Sequence, residues 1–140
     1  MRTLYTQLYV HLVWSTWDRL PLISDEIETV LYASIIAKCK ALNCEVLAIG
    51  GIVDHIHILV RLLPSISVAE LVKEIKGTSS HLLAKKVEPD GFFKWQGGYS
   101  AFTIRKNDIE TLKHYIHRQK EHHKDGHLLP EWEPKVNSER

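Results

Sequence analysis

An α+β domain with a four-stranded antiparallel sheet is the fold class this sequence predicts, on three observations. Segments of alternating or β-branched character and segments of helical spacing follow one another as strand, helix, strand, strand, helix, strand, helix. The second and third strands are joined only by Gly51 to Asp54, short enough to imply a hairpin and antiparallel pairing. The other strand-to-strand connections each carry a helix, and right-handed crossovers place the third strand beside the first, mid-sheet. Two βαβ halves around a hairpin make the ferredoxin-like split-βαβ arrangement, with the first two helices on one face and a further helix appended at the C-terminal end.

Each element has its own signal. Tyr5 to Thr16 alternates Leu8, Val10, Leu12 and Trp14 against Gln7, Tyr9, His11 and Ser15, a half-buried strand. Trp17 to Pro21 is a loop. Ser24 caps a helix whose first turn carries Asp25, Glu26 and Glu28, and Ile27, Leu31, Ile35 and Cys39 carry it to about Leu42. Cys44 to Ile52 is the second strand and Val53 to Leu62 the third, ended by Pro64. Ser67-Val68-Ala69-Glu70 fits a capping box, and Val68, Leu71, Val72, Ile75, Ser79 and Leu82 mark one helix face. Gly77 interrupts that helix and suggests a close approach to its backbone. A Gly- and Pro-containing loop spans Glu88 to Gly98, and Tyr99 to Ile104 is the fourth strand. Asn107 or Asp108 opens the last helix, which runs to about Lys124. Residues 1–126 therefore read as one domain, and 127–140 as an irregular tail.

Composition narrows the class. At 140 residues and 44% hydrophobic there is chain enough for one real core. No apolar run is long enough to span a membrane and Met1-Arg2-Thr3 starts no signal-peptide pattern, so a soluble, intracellular protein without a membrane partner is expected. Cys39 and Cys44 match no zinc or redox spacing and read as buried thiols. Lys and Arg number 18 against 17 Asp and Glu, so any nucleic-acid surface must come from clustering rather than net charge.

The chemistry concentrates at two places. In Val53-Asp54-His55-Ile56-His57-Ile58-Leu59-Val60, strand alternation puts His55 and His57 on one face and Ile56, Ile58 and Val60 on the other. Two imidazoles side by side suit a shared divalent cation, and equally suit a half-exposed polar face. In the last helix, Ile109, Leu112, Ile116 and His123 form the packing stripe. Tyr115 and Gln119, four apart, stack at its margin at about 100° per residue. Gln119 offers a carbonyl oxygen to a metal and Tyr115 a phenolic nucleophile, though a packed tyrosine and a solvated amide fit the same spacing.

With both halves in view, the sequence resembles the small single-tyrosine HUH transposases of bacterial and archaeal insertion sequences that move as single-stranded DNA. His55-Ile56-His57 is the motif of two histidines around a hydrophobic residue. Val13-Trp14-Ser15-Thr16, Ser65-Ile66-Ser67-Val68, Lys76-Gly77-Thr78-Ser79-Ser80, Trp95 to Phe102, and Tyr115-Ile116-His117-Arg118-Gln119 with His122-His123 resemble further family segments in order. The resemblance implies that Tyr115 attacks a phosphodiester, giving a 5′-phosphotyrosine and a free 3′-hydroxyl. It implies Mg²⁺ or Mn²⁺ on His55, His57 and Gln119, a homodimer, single-stranded DNA with hairpins at the element ends as partner, and a cytoplasmic, nucleoid-associated prokaryotic protein. Asp54 is a candidate for orienting an imidazole. Arg19, Lys76, Arg105, Lys106 and Arg118 are the DNA-contact candidates, with Trp95 or Tyr99 as stacking surfaces.

Three other classes share parts of this pattern. Replication initiators and relaxases share the chemistry but usually carry further domains. A histidine-triad hydrolase needs histidine at position 59, where Leu59 stands. A domesticated or inactive relative binding repeated DNA hairpins keeps the same motifs, and genomic flanks bearing subterminal hairpins would discriminate it.

Overall fold

The strands are β1 (Tyr9–Ser15), β2 (Glu45–Ile52), β3 (His55–Arg61) and β4 (Ser100–Ile104), in a computed structural model that describes residues 4–86, 91–126 and 129–134. They form one antiparallel sheet in the order β2-β3-β1-β4, with β3 and β1 central as the crossover argument requires. A two-residue turn at Val53 and Asp54 joins β2 to β3. The expected strand from Tyr5 is shorter because β3 and β4, its neighbours, end opposite Tyr9 at Arg61 and Ile104. Ahead of Tyr9 only the Leu8 carbonyl continues the pairing, accepting from Leu62 N at 2.7 Å, and Leu4 and Tyr5 are exposed.

Alternation along the central strands separates two faces. Val10, Leu12, Trp14, Ile56, Ile58 and Val60 lie under α1 (Asp25–Ala41) and α2 (Val68–Lys86), where Leu31, Ile35, Leu71 and Ile75 complete the main core. Leu12, Ile56 and Ile58 are fully buried, each worth about 1.5–3 kcal/mol relative to exposure. Ser24 and Ser67 cap the two helices, their Oγ atoms accepting from Ile27 N (3.3 Å) and Glu70 N (3.0 Å). On α2 it is Leu83, one turn beyond Ser79, that reaches the core, while Leu82 is half-buried. The close approach expected at Gly77 is absent, because its side of α2 is open to solvent.

The close approach is at Gly50 instead, and it positions the site. α3 (Ile109–His117) lies on the opposite face of the sheet, burying Leu112, Tyr115 and Ile116 against Ala48 and Leu59. Gly50 pairs with His57, and a Cβ there would collide with the Ile116 carbonyl oxygen. Only glycine lets the backbone of α3 settle on β2 beside the histidine strand.

The last helix is not continuous. A 3-10 turn at Lys106–Asp108 precedes α3, Arg118 leaves helical geometry (φ −107°, ψ 23°), and α4 (Gln119–Asp125) starts afresh. Beyond Ile116 the chain runs out of apolar positions to hold it on the sheet, so its direction is set by the polar contacts of Gln119 and His123. Gly126, at φ 75°, ends α4 in the left-handed region. Within the expected irregular tail, Pro130–Trp132 forms a short 3-10 turn over the same face, and residues 127, 128 and 135–140 lie outside the described residues. No described helix is long and apolar enough to cross a membrane.

Candidate metal and nucleophile site

His55 and His57 project from β3 beneath α3 and are completely buried. Each has its Nδ1 committed. His55 Nδ1 lies 2.8 Å from Asp54 Oδ1, and since a carboxylate only accepts, the imidazole carries its proton there. His57 Nδ1 lies 3.0 Å from Nε2 of buried His11, whose ring stacks on it at 5.2 Å. With the proton of that pair on His57 Nδ1, both Nε2 lone pairs face one region under α3. Asp54 also accepts from Arg19 Nε at 3.3 Å, which fixes the carboxylate that fixes His55.

Three further elements converge there. Gln119 Oε1, at the start of α4, is 3.3 Å from His55 Nε2 and 3.1 Å from His123 Nε2. Glu133 enters from the C-terminal segment, with Oε1 3.3 Å from His55 Nε2 and Oε2 3.6 Å from His57 Nε2. Tyr115 donates its hydroxyl to Glu133 Oε2 and accepts from Leu129 N at 2.9 Å. Its ring packs edge-on to His57 (6.0 Å) and Trp132 (5.2 Å) and stacks on His122 (4.8 Å).

The electrostatics are those of a desolvated mixed cluster. Burial and the neighbouring His57 push His11 down to about 3, so it is neutral at physiological pH. Burial likewise lowers His57 and outweighs the attraction of Glu133. For His55, burial also favours the neutral ring, but hydrogen bonds to Asp54 and Glu133 overcome it and the value rises. Burial disfavours a charged Glu133, yet the facing imidazoles of His55 and His57 and the Tyr115 hydroxyl outweigh it and hold its carboxyl well below the usual range. Tyr115 is pushed up to about 12 by burial and then by the Glu133 carboxylate, so its phenol is protonated at neutral pH.

All four residues expected at the chemical centre, His55, His57, Tyr115 and Gln119, come together in one chain. Four neighbours escaped the sequence reading. His11 had a findable signal: on the polar side of the first strand, antiparallel pairing with β3 sets it diagonally beside His57. His123 faces Gln119 and Glu133 rather than an apolar stripe, because the break at Arg118 rotates α4. His122, on the same helix, is the ring that stacks on Tyr115. Glu133 had no periodicity to mark it.

The DNA-contact candidates are spread around the molecule. Arg19 bonds Asp54 at the edge of the site. Lys76 is pushed down to about 8 by burial, and its Nζ bonds the carbonyls of Gln96 (2.7 Å) and Gly98 (2.6 Å), tying that loop to α2. Arg105 and Arg118 are exposed beside Asp108 (3.1 Å) and Glu121 (3.0 Å), and Lys106 is exposed between β4 and α3. The expected stacking role of Trp95 does not hold: it is buried against Trp14 and Phe93, with Nε1 donating to Ser79 Oγ at 3.0 Å. Tyr99 is exposed.

A split-βαβ sheet with a His-hydrophobic-His strand at its centre and a tyrosine-bearing helix over that strand defines the single-tyrosine HUH class. Within it, the chain belongs to the IS200-like transposase family, whose model matches residues 4–119. It is similar to the transposases for insertion sequence element IS200 of Salmonella typhimurium strain LT2 and Salmonella typhi, each 34% identical over 103 residues. Those matches cover 69% of this chain and 66% of the relatives, just under two thirds of their length. A crystal structure from Deinococcus radiodurans shares the fold at TM-score 0.68 and 22% identity, over 85% of this chain and 95% of that one. A REP-associated tyrosine transposase bound to a REP hairpin shares it at 0.64 and 20%, over 91% and 74%.

Proposed function

We propose that this chain is a transposase that cuts and rejoins single-stranded DNA at insertion-sequence ends through a 5′-phosphotyrosine intermediate. The observation that carries this reading is the cluster itself: the Tyr115 hydroxyl and the two imidazole Nε2 atoms of His55 and His57 converge on one carboxylate, Glu133. The residues fit Mg²⁺ or Mn²⁺. Among the described residues His57 Nε2 is a buried polar atom with no hydrogen-bond partner, and His55, His57 and Gln119 offer two nitrogen donors and one oxygen. When bound, the cation polarises the scissile phosphate and stabilises developing negative charge.

The chain's own groups do the rest. Tyr115 attacks phosphorus, an O–P bond forms, and the P–O3′ bond breaks. The hydrogen bond to Glu133 Oε2 orients the phenol, its proton passes to solvent as the O–P bond forms, and solvent returns one to the departing 3′ oxygen, so the proton count closes. Attack by an incoming 3′-hydroxyl reverses the sequence and restores the phosphodiester, with tyrosine as leaving group, so no ATP is consumed. Asp54 and His11 hold the imidazoles, and Arg19 holds Asp54. Arg19, Lys76, Arg105, Lys106 and Arg118 are carried forward as DNA contacts, and Tyr99 as a stacking surface.

The chain acts as a homodimer in the bacterial cytoplasm, on hairpin-bearing ends. Tyr115, Gln119 and both histidines stand together within one chain, which supports a nucleophile helix that serves its own site. The second reading, a hairpin-binding relative without strand transfer, draws support from the similar fold solved on a REP hairpin. Incubation with labelled single-stranded element ends and Mn²⁺, followed by a denaturing gel, separates the two. A covalent adduct supports transposition; hairpin binding with no adduct favours the second reading.

A further inference from the structure

Glu133 lies outside the motifs that define the site, yet it faces His55, His57, Tyr115, Gln119 and His123 at once. We infer that Glu133 is a direct protein ligand of the divalent cation, delivered across the site by the C-terminal segment; the inference rests on the metal-dependent reading above.

The distances favour ligation over a simple ion pair. Glu133 Oε1 is 3.3 Å from His55 Nε2, and Oε2 is 3.6 Å from His57 Nε2, a separation too long for a hydrogen bond. Donors sharing an ion through bonds of about 2.0–2.2 Å stand roughly 3.0–3.5 Å apart when adjacent. The ligating atoms of His55, His57 and Glu133 all lie within 4.8 Å of one another, and His57 Nε2 is fully buried with no hydrogen-bond partner among the described residues. Charge points the same way. His55, His57 and Gln119 are neutral donors, and a dication held by them in a buried site keeps its full charge unbalanced. A carboxylate offsets half of it and is a ligand type that suits Mg²⁺ and Mn²⁺.

The segment's placement does not depend on that carboxylate. Leu129 N donates to the Tyr115 hydroxyl, and Trp132 packs edge-on against Tyr115 (5.2 Å) and His11 (6.2 Å). His123 Nε2, 3.1 Å from Oε1, fixes the carboxylate's orientation. Glu133 therefore joins the cation to the nucleophile: Oε1 faces His55 and His123, while Oε2 holds the Tyr115 hydroxyl.

The test uses the full chain with Glu133→Cys and Co²⁺, a thiolate being a strong ligand for this probe. A thiolate-to-cobalt charge-transfer band saturating at one equivalent is expected in Glu133→Cys. It should be missing from wild type, which controls for Cys39 and Cys44, and from exposed Glu131→Cys. Mn²⁺ titration calorimetry on Glu133→Gln, with circular dichroism unchanged, should show affinity down by at least about tenfold, the loss that even indirect partners of a metal site produce. No band in Glu133→Cys, with Mn²⁺ binding intact in wild type and lost in His57→Ala, overturns the inference and leaves the metal reading standing. A wild-type chain that binds no Mn²⁺ overturns both.

Discussion

Gly50→Ala should uncouple the nucleophile helix from the histidine strand. The glycine pairs with His57, and an alanine Cβ would meet the Ile116 carbonyl oxygen, with the carbonyl carbon at 3.0 Å and Cγ2 at 3.2 Å. The obstacle is backbone on both sides, so no rotamer change relieves it. Restoring ordinary contact needs α3 to lift by roughly 1 Å, and overpacking of this kind costs about 1–3 kcal/mol. Tyr115 precedes Ile116 on that helix, so the lift also displaces the hydroxyl from Glu133 and the imidazoles. A misplacement of about 1 Å at a reacting group costs on the order of 100-fold in rate. The assay pairs urea unfolding with the initial rate of covalent adduct formation on single-stranded ends. Wild-type stability together with a wild-type adduct rate would refute the argument that this glycine sets the distance between helix and strand.

Tyr115→Phe should abolish the adduct. It should also strip Leu129 N–H and Glu133 of their shared partner, loosening residues 129–134 by about 1–3 kcal/mol in hydrogen exchange. Tyr99→Phe, at an exposed position before β4, should retain the adduct; peptide mapping that finds the nucleotide on Tyr99 would reverse the assignment. His57→Ala should lose cleavage at any physiological Mg²⁺ or Mn²⁺ while keeping hairpin binding, checked by gel shift beside the adduct gel. The metal-free protein should weaken in mild acid. His11 is held near 3 in the folded chain against 6.5 unfolded, so below pH 6.5 the unfolded state binds the extra proton and stability falls down to about pH 3. At pH 5.5 that amounts to about 1.4 kcal/mol from His11 alone, and His11→Phe should flatten the slope of urea midpoint against pH between 7 and 5.5. A homodimer predicts a species of twice 16.2 kDa by sedimentation at micromolar concentration, and a fully active monomer rejects it.

Much of this protein is written in short-range pattern. Alternation in β1 and β3, the two-residue turn between β2 and β3 and the Ser24 and Ser67 caps each depend on residues within a turn or two of one another. That is why the element order, the two faces and the His55–His57 pair were legible without coordinates. Spacing also put Tyr115 and Gln119 side by side, although the helix carrying them breaks at Arg118. What tertiary structure decided is everything that needs chain distant in sequence to meet. Gly50 looked like any strand glycine until α3 was laid on it, and His11 looked like one more polar strand residue until pairing set it against His57. Trp95 fits a stacking surface and a core aromatic equally by sequence, and the fold of its loop onto Trp14 and Phe93 decides for the core. Glu133 is the extreme case. It lies 14 residues beyond Gln119 and 76 beyond His57, in a stretch with no helical or strand period. Its place comes from Leu129 and Trp132 closing over Tyr115, a long-range contact that local sequence pattern cannot encode.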